Sequence, residues 1–420
     1  MTTIKKPKKQ KLRNAEYYDL QATFDKLYSE SKNGKTFTKI MPIILSENNI
    51  RLAYRNLKRN SGSRTAGTDH QTIKDLETWK EPDLVRYVRK RLEWYIPQPV
   101  RRVEIAKDNG KTRPLGIPTI QDRLIQQCFL QVLEPICEAK FHDRSFGFRP
   151  NRSQENAVAV AYSLMQIQHL HFVVDLDIKG FFDNVSHGKL LRQMWALGIR
   201  DKTVLSILSA MLKAEVAGIG FPEKGTPQGG IISPLLSNIV LNELDWWISS
   251  QWETMPMRKN YVRTRKDNGV AEKTYAYKVL REKSRLKECY GLRYADDFRI
   301  FCRRRQDAEK LFIATQKWLK ERLGLDISPE KSQIVNLKRK YSEFLGFKMM
   351  VKPNGKSGSK TRYTVVSHVS EKRKKKIKKR ASELVAKIKF PADKFEEHKF
   401  IMDYNSYVMG IHNYYSMATH

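Results

Sequence analysis

Two pairs of aspartates interrupt apolar stretches of this sequence. Asp175 and Asp177 lie in the run 172–178, where the alternation of a β-strand sends both carboxylates to the same face. Asp296 and Asp297 lie at the predicted tip of a hairpin between two further apolar runs. Adjacent like charges are unfavourable unless cations offset them, and Mg²⁺ binds carboxylates together with substrate phosphates. The pattern therefore predicts two Mg²⁺ ions held between the strand and the hairpin.

The chemistry that such a site performs is in-line phosphoryl transfer. One ion lowers the pKa of an attacking hydroxyl, and the other stabilises a leaving pyrophosphate. Two adjacent aspartates at a hairpin tip are also ordinary turn residues. The strand-borne Asp177, far upstream of Asp296, is what favours the catalytic interpretation.

The composition indicates a polyanionic partner. The chain has 420 residues, 40% of them hydrophobic, with 79 lysines and arginines against 45 acidic residues and a formal net charge of +34. A folded chain with this excess repels itself unless negative charge neutralises it, and phosphate contacts also release condensed counterions. Basic charge can serve solubility alone, but an excess of this size favours binding to nucleic acid.

The cysteines and the apolar segments indicate in which cellular compartment the protein is located. The four cysteines are scattered and form no CxxC pair, which argues against a disulfide framework or a cysteine-based zinc site. No apolar segment is long enough for a signal peptide or a membrane span. The sequence therefore predicts a cytoplasmic protein with no membrane partner, and it does not indicate an oligomeric state.

A basic hairpin is predicted upstream of the acidic strand. Residues 101–105 and 113–117 have strand character, and Asp108-Asn109-Gly110 between them is a tight-turn sequence. The hairpin is suited to binding phosphates, although surface hairpins are often basic for no special reason. Its cationic residues are Arg101, Arg102, Lys107, Lys111 and Arg113.

Helices and loops complete the predicted framework. Helical segments are expected at about 187–213 and 234–247, on either side of a glycine-rich loop at 225–230. Residues 251–288 are charged without steady periodicity, which predicts a surface insertion, and 353–360 has the composition of a loop.

The motifs around the aspartates resemble those of reverse transcriptases. The run Tyr294-Ala295-Asp296-Asp297 matches the YxDD box of that family, with the alanine that is usual in the group II intron branch. Residues 175–185 resemble the first catalytic motif of the same branch, and 141–152 are typical of its intron-encoded members.

This resemblance implies the metal site and the catalytic residues. Asp177 would be the metal ligand of the strand, with Asp175 in a supporting role. Lys331 resembles a lysine that protonates the leaving pyrophosphate, although a surface lysine is an equally good interpretation. The implied metal site consists of Asp177, Asp296, Asp297 and Ile178.

The resemblance also implies how a nucleotide is selected. Phe182 falls where the family keeps an aromatic side chain that excludes a 2′-hydroxyl, and Phe181 is the competing assignment by one position. Either ring could instead be an ordinary core residue. In the loop 225–236, the glycines would let the backbone approach the nascent base pair. The implied substrate-binding residues are Arg113, Lys107, Phe182, Gln228 and Gly229.

A strongly basic segment near the end of the chain resembles the maturase, or X, domain of the family. Its cations would contact RNA phosphates, and its tyrosines could stack on bases or lie in a core. The implied nucleic-acid-binding residues are Lys372, Arg373, Lys374, Lys375, Lys376, Lys378, Lys379, Arg380, Tyr414 and Tyr415.

The implied fold is an α+β right-hand polymerase with fingers, a palm built on an antiparallel sheet, and a helical thumb. The predicted divisions are a basic N-terminal arm at 1–40, fingers at 41–170, a palm at 171–350 with the insertion near 251–288, and a thumb or X domain at 361–420. Many relatives continue into a DNA-binding and endonuclease domain with cysteine pairs and clustered histidines, which this sequence does not contain.

The implied function is RNA-directed DNA synthesis with binding of intron RNA for splicing and retrohoming. The partners would be the intron RNA, an RNA template with a DNA primer, and deoxynucleoside triphosphates. Two alternatives stay open. One is a splicing-only maturase, which would not need the metal-binding carboxylates. The other is a reverse transcriptase of a defence or diversity-generating system, which would not need the maturase-like segment.

Overall fold

The computed structural model describes residues 14–106, 112–257, 259–265, 269 and 271–419. These residues form two compact units. The first contains the described residues within Met1–Phe141, Gly180–Asn242 and Glu321–Leu325, and the second contains those within His142–Lys179, Glu243–Lys320 and Asp326–His420. No helix in the described part of the chain is both long enough and apolar enough to cross a membrane.

The first unit is built around the helix Ile120–Glu138, which is buried along most of its length. The hydroxyl of Thr119 begins this helix by accepting a hydrogen bond from the Asp122 N–H (3.3 Å). The helices Gln21–Lys32, Met41–Ile44 and Glu47–Arg59 pack against it. The other helices described in this unit are Asn14–Tyr17, Gln21–Lys32, Met41–Ile44, Glu47–Arg59, Ile73–Glu77, Glu81–Glu93, Phe181–Asn184, His187–Leu197, Lys202–Leu212 and the first part of Ser233–Ser250.

The helical segments predicted at about 187–213 are confirmed as two helices, His187–Leu197 and Lys202–Leu212. Gly198 ends the first of them in the left-handed conformation (φ +111°), which glycine adopts without a steric penalty. Asp201 begins the second by accepting hydrogen bonds from the N–H groups of Thr203 and Val204.

The strands of the described residues are numbered in chain order. They are β1 (Arg101–Ala106), β2 (Thr112–Ile117), β3 (Phe172–Leu176), β4 (Arg263–Thr264), β5 (Ala271–Glu272), β6 (Cys289–Tyr294), β7 (Asp297–Cys302), β8 (Gln333–Asn336), β9 (Ser342–Phe344), β10 (Phe347–Ser357) and β11 (Lys360–Val369).

The two strands of the predicted basic hairpin are confirmed. β1 and β2 pair antiparallel in the first unit, with Arg101 opposite Ile117 and Ile105 opposite Arg113. Residues 107–111 lie outside the described residues.

The central sheet of the second unit has the strand order β6-β7-β3-β8, and every neighbouring pair is antiparallel. The predicted acidic strand and the predicted hairpin are therefore confirmed and lie next to each other. The register sets Asp175 opposite Arg299 on β7, and Tyr294 opposite Asp297 across the hairpin. The helix Arg305–Trp318 packs on β3.

A second sheet, with the order β11-β10-β9, precedes a pair of helices, Glu371–Lys389 and Lys394–Tyr415, that pack against each other. The prediction of a loop at 353–360 is wrong, because β10 and β11 continue through most of this segment as a hairpin. Backbone pairing forms there although the side chains are polar, and a bulge between Pro353 and Lys356 absorbs the irregularity. The remaining helices of this unit are Gln154–Tyr162, Thr274–Lys283 and the last part of Ser233–Ser250, with a π-helical turn at Ser163–Ile167. The residues of a second π-helical turn, Leu319–Leu323, are divided between the two units.

Candidate active site

The hairpin β6–β7 presents the pair Asp296 and Asp297 at its tip. Ala295 and Asp296 form a two-residue turn, and Ala295 adopts the left-handed conformation (φ +59°) that such tight turns require. The Asp296 side chain is exposed, and Asp297 is half-buried at the start of β7.

The segment 144–147 lies along β6 and supports this turn. The Arg293 N–H donates to the Arg144 carbonyl, and the Phe146 N–H donates to the Arg293 carbonyl, both at 2.9 Å. Gly147 lies directly against the turn, because a Cβ at this position would be 2.2 Å from the backbone nitrogen of Ala295. The absence of a side chain at 147 therefore allows the hairpin tip its position.

A buried ion pair holds the same turn from the side. The Arg293 guanidinium lies 2.7 Å from a carboxylate oxygen of Asp245 and also donates to the carbonyl of Ala295 at 2.7 Å. Both side chains are nearly inaccessible to water. Removing one partner would leave a buried charge unpaired, so the contact keeps the hairpin tip in one arrangement.

Asp175 and Asp177 have different surroundings although they share a strand face. Asp175 is buried, lies 3.1 Å from Arg299 Nε, and accepts a hydrogen bond from the Ser342 hydroxyl (3.0 Å). Asp177 lies just beyond the end of β3, half-buried, with Lys331 Nζ 3.0 Å from its carboxylate. Asp175 is thus a packed strand residue, whereas Asp177 is accessible.

The carboxylates of the strand and the hairpin act on one another. Burial raises the pKa of Asp297 from its ordinary value of 3.8 to about 6, Arg299 opposes the rise, and the charges of Asp175, Asp296 and Asp177 add to it. Arg299 lies 3.1 Å from Asp297 and so bridges this carboxylate to that of Asp175. The structure therefore brings together the acidic residues that were predicted from the two motifs.

The described residues contain no group of three or more acidic, histidine or cysteine side chains already arranged to hold a metal ion. Lys331 and Arg299 form ion pairs with oxygens of Asp177 and Asp297. The donor set is nevertheless the one that hard divalent cations prefer, and its mutual repulsion is what a cation would relieve. Ile178 follows the strand and forms a bridge with Ile327.

In the first unit, the structure joins three of the residues predicted to bind substrate. The Arg113 Nε donates to the side-chain oxygen of Gln228 (2.6 Å), and the Gly116 N–H donates to the Gln228 carbonyl (2.8 Å). Gly229 has φ +131°, and a Cβ there would be 2.4 Å from the Gly116 carbonyl oxygen. The loop thus packs closely on β2. Lys107 lies outside the described residues.

The two phenylalanines that compete for the sugar-selecting role differ in exposure. Phe181 is buried, and Phe182 is half-buried, with the ring centroids 5.3 Å apart in an edge-to-face contact. A residue that contacts substrate must be accessible, so this difference favours Phe182.

An open cavity of about 430 Å³ lies beside the loop in the first unit. Its lining combines cations with apolar and loop residues, including Arg102, Phe221, Lys224 and Gln228. The Phe221 side chain is 76% exposed. This mixture of cationic, aromatic and backbone groups is suited to a nucleotide.

The basic cluster and the two tyrosines are placed differently in the second unit. The eight cations predicted to bind nucleic acid lie on the helix Glu371–Lys389, and all are exposed. Tyr414 and Tyr415 are half-buried, because both rings pack on Phe347 and the Tyr414 hydroxyl donates to the Leu345 carbonyl (3.1 Å). Burial also raises the pKa of Tyr414.

Sequence reasoning missed the residues that support the aspartates. Arg293 and Arg299 lie in apolar strands on either side of the Asp296-Asp297 pair, and each proves to be partnered with a buried acid. Arginines inside such strands were the available signal, because a buried cation requires an anionic partner. Gly147 and Asp245 carried no comparable signal.

Comparison with known proteins identifies the family. Residues 105–349 match the family described as reverse transcriptase (RNA-dependent DNA polymerase). The chain is 30% identical to the group II intron-encoded protein LtrA of Lactococcus lactis subsp. cremoris, over 93% of this chain and 72% of that protein. It is 34% identical to protein YkfC of Escherichia coli (strain K12), over 61% of this chain and 68% of YkfC. It is 28% identical to the putative COX1/OXI3 intron 2 protein of Saccharomyces cerevisiae, over 77% of this chain and 40% of that protein.

Reverse transcriptase domains generally use divalent metal ions, which agrees with the acidic character of the site. The matched region contains β3, the hairpin β6–β7 and the loop that carries Gln228. The chain therefore belongs to the group II intron-encoded reverse transcriptases and maturases, and it is an RNA-directed DNA polymerase with the right-hand fold of that family.

Proposed function

We propose that this protein extends a DNA primer on intron RNA by two-metal-ion nucleotidyl transfer and binds the same RNA to assist splicing and retrohoming. The substrates are deoxynucleoside triphosphates. The observation that carries the catalytic part is the register of β3 and β7, which pairs Leu176 with Phe298 and so sets Asp177 and Asp297 at the same end of the ladder, with Asp296 in the adjoining turn. The intron-encoded relatives support the second part.

Two Mg²⁺ ions are part of this proposal. Asp177, Asp296 and Asp297 would hold them together with Ile178, because carboxylate oxygens suit this cation and their mutual repulsion favours its binding. When bound, the ions activate the primer hydroxyl and stabilise the pyrophosphate. The protein contributes a rigid hairpin tip, so that little rearrangement is needed on binding.

Lys331 has a role that depends on the same site. Its ammonium group lies 3.0 Å from the Asp177 carboxylate. We assign it the protonation of the leaving pyrophosphate, because an ammonium group held beside this carboxylate can deliver a proton there.

Nucleotide binding is assigned to residues of the first unit. Arg113 and Lys107 would neutralise the triphosphate, and Gln228 with Gly229 would contact the nascent base pair. Phe182 would exclude a 2′-hydroxyl. The support for this assignment is the hydrogen bond between Arg113 and Gln228 and the open cavity next to them.

RNA binding is assigned to the basic face of the helix Glu371–Lys389, with the tyrosines of the following helix as additional contacts. Its eight exposed cations lie at 372–376 and 378–380. Replacing them with glutamine should weaken RNA binding strongly at low salt, because fewer cations then contact phosphates and fewer condensed counterions are released from the RNA. The slope of log Kd against log salt concentration should become shallower by several units. Nitrocellulose filter binding with the intron RNA between about 50 and 200 mM salt measures this slope. A salt slope equal to that of the unmodified protein would mean that these cations only face solvent.

The experiment that tests the proposed function is primer extension on an RNA template with Mg²⁺, performed beside a splicing assay on the neighbouring intron. DNA synthesis together with accelerated splicing is the expected result. Splicing without DNA synthesis would identify a splicing-only maturase, and DNA synthesis without splicing would favour a defence or diversity-generating enzyme. A cytoplasmic location completes the proposal, supported by four cysteines that are free and buried.

A further inference from the structure

Two backbone hydrogen bonds join the glycine-rich loop to the segment that carries Phe182. The Gly225 N–H donates to the Val185 carbonyl, and the Thr226 N–H donates to the Phe182 carbonyl, both at 2.7 Å. All of these residues belong to the first unit. The backbone position of Phe182 is therefore determined by the start of the loop.

The fit at this junction is tight for a side chain on the loop. Gly225 is buried and has φ +100°, a conformation that L-residues rarely adopt. A Cβ there would be 3.1 Å from the carbonyl oxygens of both Phe182 and Asp183. Any displacement of Gly225 would consequently move the backbone of Phe182.

His187 fixes Gly225 from the opposite side. The imidazole is buried, and its Nε2 lies 2.7 Å from the Gly225 carbonyl oxygen. A carbonyl only accepts hydrogen bonds, so Nε2 carries a proton and donates it. Burial lowers the pKa of His187, the hydrogen bond to the Gly225 carbonyl opposes this, and the charge of Lys213 lowers the pKa further, so the net shift favours the neutral ring. Among the described residues, the other ring nitrogen has no hydrogen-bond partner.

We propose that His187 is a positioning residue for sugar selection, acting through Gly225 and Thr226 on Phe182. This inference rests on the proposed function, because it requires Phe182 to be the residue that excludes the 2′-hydroxyl. His187 does not contact the nucleotide. Its hydrogen bond keeps the loop from shifting, and the loop keeps the ring of Phe182 where a 2′-hydroxyl would collide with it.

The test compares the incorporation of ATP and dATP opposite uridine, on an RNA template with an annealed DNA primer. Phe182→Ala should raise the relative use of ATP by roughly 10²-fold. His187→Leu, which removes the donor, should raise it by about tenfold. His187→Gln retains an N–H donor at a comparable reach and should stay within about twofold of the unmodified protein. Gly225→Ala, which pushes on the Phe182 carbonyl, should change selectivity in the same direction as His187→Leu.

A double substitution distinguishes an effect of His187 on the position of Phe182 from a nonspecific loss of structure. If His187 acts through Phe182, then His187→Leu added to Phe182→Ala should change the ATP-to-dATP ratio no further. Full additivity of the two effects, or an unchanged ratio in both His187→Leu and Gly225→Ala, would overturn the inference while leaving the proposed function intact. An unchanged ratio in Phe182→Ala would overturn the assignment of the sugar-excluding residue and this inference together. If His187→Leu does not fold, the ATP-to-dATP ratios of Gly225→Ala and His187→Gln test the inference in its place.

Discussion

Replacing Asp296 with alanine is expected to reduce DNA synthesis by at least roughly 10³-fold, about 4 kcal/mol of transition-state stabilisation. Asp177→Ala should have an effect of the same size. Both carboxylates act on Asp297 electrostatically, so removing either one takes away part of the charge that attracts the divalent cations. Single-turnover primer extension on an RNA template at saturating primer measures the change.

Affinity for RNA should survive these substitutions. Removing one negative charge from a chain with a net charge of +34 does not weaken its attraction for phosphates. Asp326→Ala is the matched control, because Asp326 is an exposed acid of the same unit that pairs with the surface Lys320. It should leave DNA synthesis within about twofold, as surface ion pairs contribute little. An equal loss of synthesis and RNA binding in Asp296→Ala would falsify the catalytic assignment and make Asp296 a scaffold residue.

Local patterns in the sequence predicted the acidic strand and the hairpin correctly. The alternation in 172–178 and the turn between two apolar runs are short-range signals, and each determines its own element. The repulsion expected between paired carboxylates also predicted that the two motifs share a cation site, although they are far apart in the sequence. The choice of Asp177 over Asp175 as the metal ligand used the resemblance to reverse transcriptases.

The supporting contacts could not be predicted in the same way. The pairing of Arg299 with Asp175 and Asp297 depends on the register between β3 and β7, which comes from segments separated by more than 100 residues. The contact between Lys331 and Asp177 depends on the turn just before β8 lying beside the end of β3, and the two residues are 154 positions apart in the sequence. The loop predicted at 353–360 failed for a related reason, because pairing of backbone groups in a hairpin does not require apolar side chains.

The contacts of Arg293 and of the segment 144–147 explain how a small turn can hold two mutually repelling carboxylates in place. Asp297 carries an unfavourable charge, since its pKa is raised to about 6, and an unsupported turn could relieve the repulsion by moving apart. Arg293 prevents this by joining the Ala295 carbonyl to the buried Asp245. The strand-like segment 144–147 contacts the other side of the turn. Rigidity at this point keeps the acids ready for cations at all times.

Gly147 is the position where this support is most sensitive to substitution. Gly147→Ala is expected to reduce DNA synthesis by about 10²-fold, because a displacement of about 1 Å at a catalytic group can have this effect. The new Cβ would be 2.2 Å from the Ala295 nitrogen and 2.9 Å from the Tyr294 carbonyl carbon, both of them backbone atoms that cannot rotate away. The turn or the segment 144–147 must therefore shift, and we expect the turn to shift and to move Asp296 with it.

The Mg²⁺ dependence of the residual activity distinguishes displacement from unfolding. A displaced turn holds the cations more weakly, so the Mg²⁺ concentration for half-maximal primer extension should rise several-fold, and activity should recover in part at high Mg²⁺. Gly410→Ala is the matched control, because Gly410 lies on a helix with no atom within 4 Å of the added methyl group. Unchanged Mg²⁺ dependence in Gly147→Ala, with loss of RNA binding, would show that the substitution unfolds the second unit instead of shifting the turn.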